Sequence, residues 1–120
     1  MARNRNSAKQ AGTSFETLVA NYLADQVDDR IERRRLQGAN DRGDIAGLYA
    51  HEQRVVVECK NYGGRILAST WLDETEVERN NDGALMGFVV AKRKGTTDPA
   101  KQIVLMTLQD LTALLNGERE

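Results

Sequence analysis

Cysteine, histidine and proline occur once each in the 120 residues, as Cys59, His51 and Pro99. A lone thiol excludes an intramolecular disulfide, and one cysteine with one histidine is too small a ligand set for a structural zinc site. No apolar run approaches the ~18 residues that a bilayer crossing requires. The opening Met1-Ala2-Arg3-Asn4-Arg5-Asn6 is basic with no apolar stretch behind it, which does not read as a secretory signal. An excess of either charge is missing too: the net charge is -1 and the sequence pI about 5.9. That argues against a protein that coats nucleic acid by bulk charge. The expectation is a cytoplasmic protein with no membrane segment and no small-molecule cofactor. Its length suits one hydrophobic core and not two.

What charge there is lies in patches. Arg3, Arg5 and Lys9 fall in a stretch without acids, Arg33, Arg34 and Arg35 form one basic cluster, and Lys92, Arg93 and Lys94 form another. Acids gather at Asp73, Glu74, Glu76 and Glu78. Such runs are either solvated surface or a basic face on a neutral protein.

Residues 1–12 read as a flexible basic tail and residues 13–120 as one domain. Phe15, Leu18, Val19, Tyr22 and Leu23 make one apolar helical stripe, with Thr13 or Ser14 as cap and an end near Val27. A loop rich in turn residues, from Leu36 to Gly43, leads to a strand from Asp44 to Tyr49. A second strand runs from Arg54 to Lys60, across a connection of hairpin length. A second helix is expected from Trp71 to Asn81, and the continuous apolar run Ala84 to Ala91 suits a central strand. Ile103 to Met106 reads as a short strand, and Thr107 caps a last helix with Leu108, Leu111, Leu114 and Leu115 on one face. The order predicts an α/β fold, a mixed β-sheet flanked by helices.

The hairpin carries the chemistry. Glu58 and Lys60 are two apart on a strand and share a face. Folding the hairpin about His51 sets Asp44 opposite Glu58, with Cβ atoms ~5 Å apart. Opposed like charges destabilise a hairpin, and a divalent cation removes that penalty. Hard oxygen donors suit Mg²⁺, which takes one or two carboxylates and keeps waters and phosphate oxygens. The Cys59 backbone carbonyl is a further donor. Lys60 could then orient water or neutralise charge on a phosphate. Plainer readings stand beside these: Asp44 as a turn residue, and Glu58 with Lys60 as the exposed face of an edge strand. Glu16, at the border of the first helix's stripe, is either a fourth site residue or the end of a Thr13-x-x-Glu16 capping box.

The residues Gly12-Thr13-Ser14-Phe15-Glu16, Arg42-Gly43-Asp44-Ile45 and Val57-Glu58-Cys59-Lys60, in this order and spacing, resemble the archaeal- and phage-type Holliday junction resolvases of the PD-(D/E)XK nuclease superfamily. The resemblance runs roughly from Gly12 to Lys94. It implies a restriction-endonuclease-like core, a homodimer, branched DNA as substrate and Mg²⁺ or Mn²⁺ as cofactor. By it, Asp44 and Glu58 with the Cys59 carbonyl are metal ligands, Lys60 is the catalytic lysine, and Glu16 completes the site through water. Lys92 becomes a phosphate contact, joined by Arg3, Arg5, Lys9, Arg33, Arg34, Arg35 and Lys94. The second helix is more acidic than the family's usually is. Two other functions fit the same residues: a nuclease of flap, single-stranded or other DNA, and a non-catalytic nucleic-acid-binding module.

Overall fold

In the computed structural model, the backbone of residues 5–34 and 43–120 is described, with side chains from Ala11 onward in the first helix. Among these residues three helices and six strands follow one another as α1 (Arg5–Gln26), β1 (Glu32–Arg33), β2 (Ile45–Ala46), β3 (Tyr49–Ala50), β4 (Gln53–Lys60), α2 (Ala68–Asp82), β5 (Met86–Ala91), β6 (Ile103–Leu105) and α3 (Leu108–Asn116). A short 3₁₀ turn, Pro99–Lys101, precedes β6. The sheet order is β1-β2-β4-β5-β6, with β3 paired to β4. Among the described residues only β4 and β5 are parallel, and α2 connects them, because a parallel pair needs a long crossover. This is the expected mixed open sheet flanked by helices.

Alternation along β4 and β5 builds both faces. Val55, Val57, Met86 and Val90 point to one side, where they bury Phe15 and Val19 of α1 and Ala113 of α3. Val89 and Ala91 point to the other side and bury Trp71 of α2. Trp71 is 1% exposed, buried by its own chain. Among the described residues no helix is long and apolar enough to cross a membrane.

Three local expectations shift. Helix α1 begins by Arg5, inside the stretch read as a tail, so Thr13 lies within the helix and cannot cap it. Its carbonyl instead accepts the Thr17 hydroxyl at 3.1 Å. The strand read as Asp44 to Tyr49 is split into β2 and β3. On α3, Thr107 caps as expected, accepting from the Asp110 N–H, but Leu108, Leu111 and Leu115 face outward. The buried stripe is Asp110 and Ala113, with Leu114 packed on the core. Asp110 is compensated by Arg119 at 2.5 Å, an ion pair between distant positions that periodicity does not reveal.

The split in the hairpin has a cause. Its tip is a two-residue turn, His51 and Glu52, with φ of 53° and 64°. Both residues are left-handed, as a type I′ hairpin turn requires. Side chains at and beside the tip dock on the end of α3: His51 Nε2 donates to the Leu114 carbonyl at 2.6 Å and Gln53 Nε2 to the Gly117 carbonyl at 2.7 Å. This tip pairs Tyr49 with Arg54, a register that would carry Asp44 to Cys59. Further along, Ile45 pairs with Val57. One extra residue, a β-bulge around Gly47, makes up the difference. Gly47 has φ +88°, and a Cβ there would come within 2.7 Å of the Arg30 carbonyl oxygen.

Candidate active site

The C-terminal end of β4 opens into a cleft of about 890 Å³ whose lining includes Glu16, Asp44, Glu58, Lys60, Glu74 and Glu78. The register of Ile45 on Val57 brings Asp44 level with Glu58. Asp44 itself leaves the ladder. Its N–H donates to the Val57 carbonyl at 2.8 Å, while its carbonyl accepts the Arg34 N–H at 2.7 Å. The carboxylate then folds over the end of β2, where Oδ2 accepts the Cys59 N–H at 2.7 Å. In a strand, a residue's N–H and carbonyl point to the same neighbour. The Cys59 carbonyl therefore faces the side on which Asp44 lies.

Glu58 is 5% exposed, and its Oε1 is buried with no hydrogen-bond partner among the described residues. A buried carboxylate oxygen without a partner is costly, and native structures keep few of them. Lys60, on the same face, donates from Nζ to Glu74 Oε2 on α2 at 2.9 Å. Glu16 lines the cleft from α1 and is held by Arg33, whose Nε donates to its Oε2 at 2.8 Å. Burial pushes the Cys59 thiol well above the ordinary thiol range, and the negative charges of Asp44 and Glu16 add to the shift. That side chain is therefore held as a neutral thiol, a poor nucleophile.

Glu16, Asp44, Glu58, Lys60 and Cys59, singled out in the sequence, thus meet at one cleft. The basic residues divide. Arg33 is engaged by Glu16, and Lys92 Nζ is turned onto the carbonyls of Arg93 and Thr96, where it ties the loop after β5. Arg34 lies beside Tyr49 and Arg54 at a separate hollow, and Lys94 is exposed. Arg3 and Arg35 lie outside the described residues, as do the side chains of Arg5 and Lys9.

Glu74, Glu78, Asn61, Tyr62 and Arg65 also line the cleft; the sequence shows the first two as part of an acidic patch and marks none of the five as a site residue. A signal existed for the first two. Trp71, Thr75 and Glu78 share one helical face, with Glu74 beside it, and Trp71 marks that face as the one against the sheet. Tyr62 and Arg65 belong to the loop that leaves Lys60, a placement that strand periodicity does not reach.

Among the described residues no three His, Cys, Asp or Glu side chains stand close enough together to hold an ion unaided. Mg²⁺ does not require three, since one or two carboxylates suffice and water or phosphate fills the rest. Asp44, Glu58 and the Cys59 carbonyl are a hard-oxygen set of that kind, and the unpartnered Glu58 oxygen gives a cation something to satisfy. The chain matches no family model, no curated protein and no solved structure in comparisons with known proteins.

Proposed function

We propose that this protein is a metal-dependent DNA endonuclease of the PD-(D/E)XK type, with branched DNA as its first-choice substrate. The observation that carries the reading is Glu58: buried, with an unpartnered oxygen, in a cleft shared with Asp44 and Lys60. The order of α1, the β2–β4 pair, α2 and the parallel β5 supports a restriction-endonuclease-like core.

Asp44, Glu58 and the Cys59 carbonyl would hold Mg²⁺ or Mn²⁺. When bound, such an ion stabilises charge on the scissile phosphate and lowers the pKa of water. The cleft's carboxylates would otherwise repel a phosphodiester, so the acidic lining itself makes approach depend on a cation. Lys60 places an ammonium group on the Glu58 face, where it can pair with a phosphate oxygen in exchange for Glu74. Glu16, steadied by Arg33, can orient water at the opposite wall. Arg34 and Lys94 remain phosphate contacts in this reading, whereas Arg33 and Lys92 serve to hold the site's surroundings. A homodimer would bring two such clefts to a symmetric junction.

The test is cleavage of labelled four-way junction, flap, duplex and single-stranded DNA in Mg²⁺, Mn²⁺ or EDTA, beside Glu58→Gln. Metal- and Glu58-dependent cutting supports the nuclease, and paired symmetric cuts in the junction support the resolvase. Cutting of the other substrates alone keeps the chemistry and changes the substrate. Binding without any cutting overturns the enzyme in favour of a binding module.

A further inference from the structure

Tyr62 follows the catalytic strand by two residues and lines the cleft, yet it is 50% exposed. Its ring meets Trp71 edge to face, with centroids 5.1 Å apart and planes at 62°. Trp71 is buried against Val89 and Ala91, so it is a fixed support. The loop bearing Tyr62 is braced on three sides. Asn61 Nδ2 donates to the Ala11 carbonyl of α1 at 3.4 Å, and its Oδ1 accepts the Gly63 N–H at 3.2 Å. The Tyr62 carbonyl accepts the Arg65 N–H at 3.2 Å, closing a turn. Gly64, with φ +101°, sits so close to the next loop that a Cβ would lie 2.7 Å from the Lys94 Cβ. The result is an aromatic ring held stiffly at the cleft mouth with half its surface open.

The cleft's charges explain what such a ring is for. Among the described lining residues only Lys60 and Arg65 are basic, and Lys60 is already paired with Glu74. Phosphate contacts alone would hold a strand poorly there. Stacking on a base adds affinity without charge and without sequence preference, about 1–3 kcal/mol per base. A ring beside the backbone reaches a base only when that base is out of its duplex stack.

We propose that Tyr62 is a stacking platform for an unpaired base, so that the DNA accepted by the cleft presents an unpaired nucleotide beside the cut bond. The proposal rests on the nuclease reading and narrows its substrate.

The experiment uses the full chain in Ca²⁺ with single-stranded and junction DNA carrying pyrrolo-deoxycytidine, a fluorescent base that is quenched by stacking, and with fully paired duplex. The wild type and Tyr62→Phe should quench the unpaired probe. Tyr62→Ala and Tyr62→Leu should lose the quenching and bind unpaired DNA roughly 5- to 150-fold more weakly, with duplex affinity unchanged. Tyr62→Leu keeps an apolar side chain on Trp71, which separates stacking from collapse of the loop. Equal quenching in all variants, or equal weakening toward duplex and unpaired DNA, overturns the platform. If cutting in Mg²⁺ depends on Glu58 but its preference for unpaired DNA ignores Tyr62, the platform falls and the nuclease stands. If Tyr62-dependent quenching occurs with no cutting, stacking stands and the nuclease falls.

Discussion

Asp44 stands level with Glu58 only because the hairpin carries an extra residue around Gly47; the turn at His51 and Glu52 by itself would bring it to Cys59. A one-residue slip sends a side chain to the other face of a sheet. The bulge therefore decides whether two carboxylates share the cleft.

Gly47 is the place to test this. Gly47→Ala forces a side chain into a left-handed conformation and against the Arg30 carbonyl. It should lower stability by about 1–3 kcal/mol in urea denaturation and reduce cleavage beyond what the folded fraction explains. An unchanged transition and unchanged cleavage would show that the bulge carries neither load.

Glu58 sets stability against function. Glu58→Met replaces a buried carboxylate that lacks a partner with an apolar side chain of similar length. In EDTA the variant should be more stable than wild type by about 1–3 kcal/mol. Mn²⁺ should raise the wild-type Tm and leave that of the variant unmoved, since only a state that binds the ion gains from it. A less stable variant in EDTA would mean that Glu58 is satisfied in the metal-free protein.

Arg33 and Glu16 should act as a unit. Their ion pair is partly exposed, so a double-mutant cycle with Arg33→Ala and Glu16→Gln should give a coupling of about 0.5–1 kcal/mol. If Arg33 steadies Glu16 and does not touch phosphate, Arg33→Ala lowers cleavage while the salt slope of DNA binding stays as it was. A slope shallower by about one would return Arg33 to the DNA contacts.

Cys59 gives a pH dependence of known sign. Its thiol is raised in the folded state and ionises near about pH 8.5 in the unfolded chain. A raised folded pKa contributes stability that is full below the unfolded value and is lost as pH climbs above it. In EDTA, stability should therefore fall between roughly pH 8 and pH 10, by up to about 1.4 kcal/mol per unit, and Cys59→Ala should remove that part of the slope. Iodoacetamide should label Cys59 in urea and spare it in the folded protein.

The residues of the cleft were legible where strand alternation or a short motif carried them. Val55 to Lys60 announce a strand, and their period puts Glu58 beside Lys60 whatever the rest of the chain does. The capping-box reading of Glu16 fails for a reason that local spacing cannot supply: α1 starts by Arg5, and Thr13 becomes an interior residue. On α3 the leucines suggest a buried stripe, but Asp110 takes the inner position because Arg119 is there to meet it.

The sequence by itself determined the elements: an α/β chain, a β-branched strand ending in Glu58 and Lys60, and a helix capped at Thr107. These follow from periods of two and 3.6 residues and from local side-chain-to-backbone bonds, which act within a few positions. The tertiary structure decided the rest. It set Asp44 level with Glu58 through the bulge, turned Glu74 onto Lys60, joined Arg33 to Glu16 and propped Tyr62 on Trp71. Each of those contacts joins residues from separate parts of the chain, and its geometry depends on how the helices settle on the two faces of one sheet.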